Sequence, residues 1–289
     1  MHFFIFCFII VGMKNWLYKQ TVILSGASGG IGKELAKLLI TKYGATVIGI
    51  GRSEEKMLAL QKELGDSSSA FSYRLFDVAK KECWQAFAKE LEEQNVRPTL
   101  LINNAGIFPA LQKASVSPSS LAEKVIQTNY LSAVYAIEAI SPLLVGNGKY
   151  KPAIVNVSSS AALCTVVGAG YYAASKSALK GYTEALQLEE KGKKYIGVVY
   201  PGTTATDLFR DDTNVQNSAM GMIAMPAAKM ARKIAKRIIK RKKRSVLGFD
   251  AKFMSATARL MPVKGLAFIR WVMKISKSKA FNNVFDKNK

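Results

Sequence analysis

Short runs of Val, Ile and Leu alternate along this chain with longer stretches of amphipathic spacing. The apolar runs, bounded by Gly, Ser, Asn or Pro, predict buried strands, at residues 21–25, 46–50, 71–76, 99–102, 153–157, 195–200 and 245–247. Helical spacing lies between them, at residues 31–43, 54–64, 80–94, 119–145, 170–191 and 226–243. This alternation predicts an α/β fold, a doubly wound parallel sheet of about seven strands with helices on both faces.

A separate hydrophobic segment precedes the first predicted strand. Residues 3–11 are apolar without interruption, but a bilayer span needs about 20 such residues. No basic residue precedes the run as it would in a signal peptide. Two interpretations stay open, a short hydrophobic anchor or a polypeptide whose natural start is Met13. We divide the chain into a lead of residues 1–17, a main domain of residues 18–249 and an extension of residues 250–289.

The composition excludes several kinds of site. With 289 residues, 49 % of them hydrophobic, the chain can form a core without disulfides or a structural metal. The single histidine is His2, which excludes Ser-His-Asp triads and histidine metal sites, and we predict no metal. The three cysteines, Cys7, Cys83 and Cys164, are far apart and odd in number. They argue against a disulfide framework and for a reducing compartment.

Basic residues are concentrated towards the C-terminus. Residues 229–289 contain 19 Lys and Arg against 2 Asp and Glu, whereas residues 1–228 contain 23 against 18. Residues 227–244 have the pattern of an amphipathic cationic helix. Residues 263–275 combine large apolar side chains, including Trp271, with Lys and Arg. That composition is typical of helices that lie in a membrane interface.

This basic region has three interpretations. Its polar face could be solvated, it could bind an anionic membrane surface, or it could bind nucleic acid. The apolar anchors beside the charges favour the membrane surface, and the lack of a recognition motif speaks against nucleic acid. We therefore expect a cytoplasmic protein attached peripherally to the cytoplasmic face of a membrane, with no nucleic-acid partner.

A glycine-rich turn, SGASGGIG at residues 25–32, joins the first predicted strand to the first helix. Glycines there permit a tight turn and let a pyrophosphate approach the positive end of the helix dipole. A merely permissive turn is the alternative, which the strand–loop–helix context disfavours. Arg52, followed by Ser53, ends the second strand, where an NAD site would place Asp or Glu. Arginine suits a 2′-phosphate, so we predict NADP(H); a solvated surface arginine is the alternative.

Tyr172 and Lys176 lie four residues apart on a predicted helix, and they therefore share one face. A free tyrosine has a pKa near 10, and a nearby ammonium group favours its phenolate. We therefore expect Lys176 to lower the pKa of Tyr172, which makes the pair a general acid/base that needs no histidine.

Several motifs together resemble the short-chain dehydrogenase/reductase family over about residues 18–210. They are the glycine loop, with Ser25 where the family usually has Thr, then NNAG at 103–106, Asn129, the serine strand, YxxxK at 172–176 and PG at 201–202. The resemblance implies a Rossmann fold and a catalytic tetrad of Asn129, Ser159, Tyr172 and Lys176. Ser159 is chosen over Ser158 and Ser160 because the family's serine lies thirteen residues before the tyrosine. The spacing to the lysine chooses Tyr172 over Tyr171, which we interpret as an aromatic wall.

The resemblance also implies a role for each residue. Tyr172 exchanges a proton with the substrate oxygen, Ser159 hydrogen-bonds that oxygen, and Lys176 also holds the nicotinamide ribose. Asn129 holds a water that links Lys176 to solvent. The implied cofactor-binding residues, some chosen on the loop and strand ends above, are Gly26, Ser28, Gly30, Ile31, Gly32, Arg52, Ser53, Asp77, Val78, Asn104, Ala105, Gly106, Tyr172, Lys176, Pro201, Gly202 and Thr204.

These observations predict an NADP(H)-dependent oxidoreductase that interconverts a ketone and a secondary alcohol on a hydrophobic, lipid-like or steroid substrate. Residues 203–225 fit the family's substrate loop, in which Met220, Met222 and Met225 form either an adaptable apolar wall or ordinary core. A redox-sensing regulator that binds NADP(H) is the alternative, which the complete tetrad disfavours. The predicted helices at 119–145 and 170–191 resemble those that pair in family dimers and tetramers, so we expect a homodimer or homotetramer.

Overall fold

The alternating strands and helices form a parallel sheet covered by helices on both faces. The structure, a computed structural model, describes residues 15–206, 224–275 and 281–285. Its main sheet has seven strands in the order β3-β2-β1-β4-β5-β6-β9, and all neighbours are parallel. The strands are β1 (Thr21–Ser25), β2 (Thr46–Gly51), β3 (Phe71–Leu75), β4 (Leu100–Asn103), β5 (Ala153–Val157), β6 (Tyr195–Pro201) and β9 (Arg244–Leu247), with a small pair of β7 (Thr204–Ala205) and β8 (Met225–Pro226) beside them. The doubly wound α/β prediction is confirmed, and each predicted strand end lies within one residue of the observed end.

Ten α-helices lie in the described ranges. They are α1 (Gly30–Thr41), α2 (Glu54–Leu64), α3 (Lys81–Glu93), α4 (Ser119–Ile126), α5 (Ser132–Ile140), α6 (Gly170–Glu189), α7 (Ala227–Ile239), α8 (Phe249–Leu260), α9 (Lys264–Ile275) and α10 (Asn282–Phe285). Short 3-10 turns occur at Gly65–Ala70, Ala114–Val116, Ser141–Leu143 and Ser160–Ala162. None of the helices in these ranges is both long and apolar enough to cross a membrane.

Two hydrophobic layers hold the sheet, one on each face. Val22 and Leu24 of β1 pack with α1, α2 and α7, whereas Ile23 between them packs with α3 and α5. Successive side chains of a strand point to opposite faces, so a strand covered on both sides must be apolar throughout. That is why the central strands read as unbroken apolar runs.

The predicted helix at 119–145 is interrupted in the structure. A π-helical turn at Gln127–Leu131 separates α4 from α5, and a 3-10 turn follows α5. A π turn inserts an extra residue into the helical ladder, which the amphipathic spacing of the segment does not reveal. Such turns often occur at functional sites, and this one contains Asn129.

Both ends of the main domain differ from the predicted division. Trp16 and Leu17, which we assigned to the lead, are buried in the main core. The Trp16 indole N–H donates to the carbonyl of Ile239 at 3.2 Å, so this part of the lead belongs to the domain. At the other end, α8 contacts β9, and both α8 and α9, which form most of the predicted extension, supply side chains to a cavity of the domain. The apolar run at 3–11, His2, Cys7, Met220 and Met222 lie outside the described residues.

Candidate active site

A cavity of about 1170 Å³ lies at the carboxyl edge of the sheet. The strand order reverses between β1 and β4, and open α/β sheets form a crevice at that point. Most of the predicted site residues line this cavity: Gly26, Ser28, Gly30, Ile31, Arg52, Asp77, Val78, Asn104, Ala105, Gly106, Ser159, Tyr172, Lys176, Pro201, Gly202 and Thr204. Gly32, Ser53 and Asn129 are not among the lining residues.

The glycine loop requires glycine for two different reasons. Gly26 and Gly30 have φ values of +70° and +53°, which side chains other than glycine rarely adopt. At Gly32, a Cβ would lie 2.0 Å from the carbonyl oxygen of Gly26, so the helix can pack on the loop only without a side chain. Gly32 therefore allows the first turn of α1 to pack closely against the loop, and does not itself line the cavity.

Ser25 joins the ends of two neighbouring strands. Its hydroxyl oxygen accepts hydrogen bonds from the backbone N–H groups of Asn104 and Ala105, at 3.0 and 3.1 Å. The Asn104 side-chain amide donates to the carbonyl of Ser25 at 3.1 Å. A serine hydroxyl is sufficient for these contacts, which explains why Ser can stand where the family usually has Thr.

Two basic side chains line one end of the cavity. Arg52 follows β2, and Lys56 lies one turn further, in the first turns of α2. The Ser53 hydroxyl caps α2 by accepting from the Lys56 backbone N–H at 3.3 Å. Its O–H stays available as a donor, so its role as a further cofactor donor stays a prediction. Sequence reasoning missed Lys56. Its place in the first turn of the helix that begins two residues after Arg52 is the signal that could have identified it.

Tyr172 and Lys176 are buried side by side on α6. The Lys176 Nζ atom lies 5.9 Å from the centre of the Tyr172 ring and donates to the carbonyl of Val157 at 3.1 Å. The Ser159 hydroxyl faces the Tyr172 phenol, and its polar interaction with the phenol acts to lower the pKa of Tyr172. Ser158 instead donates to the Lys176 carbonyl at 2.8 Å. The neighbouring serines thus face different partners, and only Ser159 meets the phenol.

Burial dominates the protonation of this pair. It raises the pKa of Tyr172 above its usual value near 10, and the polar interaction with Ser159 only partly opposes this. Burial also lowers the pKa of Lys176 to about 8. We expected Lys176 to lower the tyrosine pKa. In this structure the largest influence on the phenol is instead its removal from water, which raises the pKa, and a lowering by Lys176 stays a prediction.

Asn129 connects the loop after β4 to α6. Its amide oxygen accepts from the Ile107 backbone N–H at 2.7 Å, while its amide nitrogen donates to the Ile107 carbonyl at 2.9 Å and to the Ser175 hydroxyl at 3.0 Å. At Gly106, a Cβ would lie 3.1 Å from the Asn129 oxygen and 3.2 Å from the Lys176 Nζ. The asparagine is therefore close to the lysine, and its water-holding role stays a prediction.

The other end of the cavity is apolar, and the C-terminal helices supply much of it. Phe108 packs edge-on against the Tyr172 ring at 4.7 Å. The C-terminal lining residues are Phe249, Asp250, Phe253, Met254, Ile269, Val272, Met273 and Phe281. Apart from Phe249, sequence reasoning assigned these residues to the C-terminal extension, residues 250–289. Amphipathic spacing shows that a helix has an apolar face but not which surface that face covers.

Asp250 is the charged member of this C-terminal set. Its carboxylate accepts a hydrogen bond from the backbone N–H of Thr203 at 2.6 Å. A Cβ at Gly202 would lie 2.2 Å from the same carboxylate, so the glycine permits the close approach. The first turn of α8 is thereby tied to the loop after β6. The predicted contact residue Thr204 donates its hydroxyl to the Gly202 carbonyl at 2.9 Å in the same loop.

Comparisons with known proteins agree with this architecture. Residues 20–217 match the family described as short chain dehydrogenase. The 3-ketodihydrosphingosine reductase of Bos taurus is 27% identical over 258 residues, which cover 85% of this chain and 76% of that protein. The NADPH-dependent pterin aldehyde reductase of Arabidopsis thaliana is 30% identical over 190 residues, 66% of this chain and 77% of that protein.

Solved structures share the fold. A short chain dehydrogenase from Escherichia coli CFT073 complexed with NADPH has a TM-score of 0.72 at 24% identity, over 82% of this chain and 98% of that one. A short chain dehydrogenase/reductase from Burkholderia phymatum in complex with NAD has a TM-score of 0.75 at 21% identity, over 88% and 96%. Because the same fold accommodates both cofactors, any preference in this chain must come from its own residues.

Proposed function

This chain belongs to the short chain dehydrogenase family, and on that premise we propose an NADP(H)-dependent oxidoreductase that interconverts a ketone and a secondary alcohol on a hydrophobic substrate. One observation carries the proposal: the Tyr172–Ser159–Lys176 cluster lies in a single cavity between a basic end and an apolar end. The cluster supplies a proton donor and an orienting hydroxyl at the place where the two ends meet.

The residues present fit a dinucleotide with a 2′-phosphate. The glycine loop brings backbone close to the cavity at Gly26 and Gly30, where a pyrophosphate can approach the start of α1. Arg52 and Lys56 line the same end and supply positive charge for a phosphate. Asp77 and Val78 would contact the adenine, and Lys176 the nicotinamide ribose. When bound, the nicotinamide supplies or accepts the hydride.

The protein's own part in the chemistry is to orient the substrate oxygen and to move a proton. The Ser159 and Tyr172 hydroxyls face each other in the cavity, so a ketone oxygen that contacts both would be oriented by two donors. Because burial raises the pKa of Tyr172, its phenol is protonated at neutral pH. It is therefore ready to donate to the oxygen as reduction proceeds, and Lys176 and Asn129 would replace the lost proton from solvent.

The apolar end of the cavity favours a hydrophobic substrate. Phe108, Val166, Met225 and the C-terminal side chains present mostly carbon atoms to the cavity beyond Tyr172. The adaptable side chains Met225, Met254 and Met273 suit ligands of irregular shape. We place long-chain keto-lipids first among substrates, which agrees with the name of the bovine relative, and steroid ketones second. We also propose peripheral attachment to an anionic membrane.

The test is oxidation of the reduced cofactor, followed by its absorbance, with NADPH and NADH against keto-lipids, ketosteroids and small ketones in detergent. We expect NADPH-selective turnover of at least one keto-lipid or steroid. Tight NADPH binding without turnover of any ketone would contradict the enzyme proposal and favour a redox-sensing regulator. Equal use of NADH would contradict the role given to Arg52 and Lys56.

A further inference from the structure

The helices α8 and α9 have two apolar sides, one towards the cavity and one towards solvent. We propose that the outer side docks on an anionic lipid bilayer with the mouth of the cavity facing the lipid, so that a hydrophobic ketone enters directly from the membrane. We call this outer side the C-terminal apolar face and define it by Phe249, Leu260, Val263, Phe268, Trp271 and Ile275. The route of entry rests on the proposed enzymatic activity; the docking assigns a surface to the membrane attachment proposed above and is tested without that activity.

Exposed apolar side chains are concentrated on this pair of helices. Among the described residues, ten of the sixteen exposed large hydrophobic side chains lie between residues 249 and 275. Val263 is 82 % exposed and Trp271 is 56 % exposed. The rings of Phe268 and Trp271 stack with centres 5.9 Å apart. Soluble proteins rarely present a large contiguous apolar surface to water, and such surfaces mark interaction sites.

At its apolar end, the cavity opens on the same face. Phe253 and Val272 line the cavity, and they are also 45 % and 38 % exposed. A side chain that both lines a cavity and contacts solvent lies at its rim. Deeper in the same two helices, Met254 and Ile269 line the cavity from less exposed positions. A hydrophobic ligand that enters the cavity at Val272 therefore contacts apolar side chains all the way from the protein surface to the interior.

The charges around this face fit an anionic bilayer. Between residues 249 and 275 the basic side chains are Lys252, Arg259, Lys264, Arg270 and Lys274. Asp250 is the single acidic residue there, and its carboxylate is occupied by the Thr203 N–H. Apolar anchors with aromatic rings, surrounded by cations, are the composition of helices that lie in a membrane interface, and anionic lipid attracts such cations.

The fluorescence of Trp271 can report docking on a membrane. The chain has three tryptophans; Trp16 and Trp84 are 3 % and 0 % exposed, and Trp271 lies on the apolar face next to Val272. Vesicles of phosphatidylcholine and phosphatidylserine with brominated acyl chains quench tryptophans that reach the hydrocarbon. We expect quenching of the full-length protein by these vesicles, and much less by vesicles of phosphatidylcholine alone. In Trp271→Phe we expect the quenching to disappear while the protein still floats with the vesicles.

A matched pair of double variants tests the face itself. Val263→Glu with Trp271→Glu places charge on the apolar face without touching the cavity lining. Val116→Glu with Leu188→Glu does the same at exposed apolar positions elsewhere. Flotation should fall at least tenfold in the first variant and stay unchanged in the second. Equal flotation of the two variants, or no quenching at Trp271, would overturn the docking. A dimer that only the first variant abolishes, without vesicle binding, would assign the face to a second copy of the chain.

A kinetic comparison tests the route of entry. We would measure turnover of cyclohexanone in water and of methyl pentadecyl ketone dissolved in the mixed vesicles, both with NADPH. The Val263→Glu, Trp271→Glu variant should retain cyclohexanone turnover and lose at least tenfold on the vesicle-borne ketone. Equal losses on both ketones, or on neither, would overturn entry from the membrane. If the unmodified protein reduces no ketone, the proposed function and its entry route both fail, while flotation and quenching still decide the docking.

Discussion

At the scale of single residues, Tyr172 shows how burial sets a protonation state. Its ring lies against Phe108, and its pKa is raised by removal from water. A protonated phenol can serve as an acid without any charged neighbour. Tyr172→Phe removes the proton and keeps the ring, so we expect kcat to fall by about a hundredfold or more. NADPH affinity, measured by fluorescence titration, should change little; a variant that retains most of its turnover would contradict the assignment.

The basic end of the cavity yields a prediction about cofactor choice. Arg52→Ser with Lys56→Ser removes both lining cations. Hydrogen bonds between charged groups contribute about 1.5–3 kcal/mol, so NADPH affinity should fall by about tenfold or more, with NADH affinity nearly unchanged. Lys62→Ser, on the same helix but away from the cavity lining, is the matched control. Parallel losses for both cofactors would show that the substitutions disturb the fold of the loop.

Lys176 yields a prediction about pH. Burial lowers its pKa to about 8, so the ammonium form predominates below that pH and is lost above it. If the charged form holds the ribose and supplies the proton, kcat/KM for NADPH should decline as the pH rises through about 8. In Lys176→Arg, whose guanidinium stays charged, the decline should disappear at whatever activity remains. A decline of the same shape in both proteins would assign it to another group.

At the scale of elements, α8 and α9, which both line the cavity, pack closely against each other at Gly265. A Cβ at Gly265 would lie 2.8 Å from the Thr257 carbonyl oxygen, a backbone atom that cannot easily move. Gly265→Ala should therefore separate the two helices and lower the free energy of unfolding by about 1–3 kcal/mol. The KM for a long-chain ketone should rise as the cavity wall shifts, with little change in NADPH affinity.

Gly181, on α6, is the matched control because a Cβ there meets nothing within 4 Å. Gly181→Ala should raise the free energy of unfolding by about 0.5–1 kcal/mol, since alanine loses less conformational freedom in a helix. Urea unfolding of Gly265→Ala and Gly181→Ala, each compared with the unmodified protein, measures the two changes in the free energy of unfolding. A stabilising effect in both would mean that α8 and α9 are not held closely at Gly265.

Elements also show what the sequence can and cannot predict. The strands of the sheet were predicted closely, because burial on both faces requires apolar residues throughout. The cluster of Ser159, Tyr172 and Lys176 follows from spacing and from the family resemblance. The capping role of Ser53 is a local signal, a serine directly before a helix that begins with two glutamates, and it could have been predicted. The π turn at Asn129 and the raised pKa of Tyr172 were not predictable. Each depends on neighbours in three dimensions. The position of α8 and α9 at the cavity was not predictable either, because the sequence does not show which distant surface their apolar faces cover.

At the scale of the whole molecule, one cavity is lined by two parts of the chain, one inside the region that matches the family and one beyond it. The glycine loop, Arg52, Ser159, Tyr172 and Lys176 come from the part that matches the family, residues 20–217. The apolar wall from Phe249 to Phe281 comes from beyond it. The net charge of +22 arises mainly from residues 229–289. The C-terminal part of the chain therefore contributes both apolar side chains to the cavity and most of the positive charge.

This division has a consequence for inhibitors. A compound that occupies the glycine loop and the basic end would contact residues inside the part of the chain that matches the family, and we expect it to discriminate poorly among family members. A compound anchored against Met254, Ile269 and Met273 would instead contact side chains from outside the family match. Selective ligands for this protein should therefore be sought among molecules that fill the C-terminal wall and extend only as far as Tyr172.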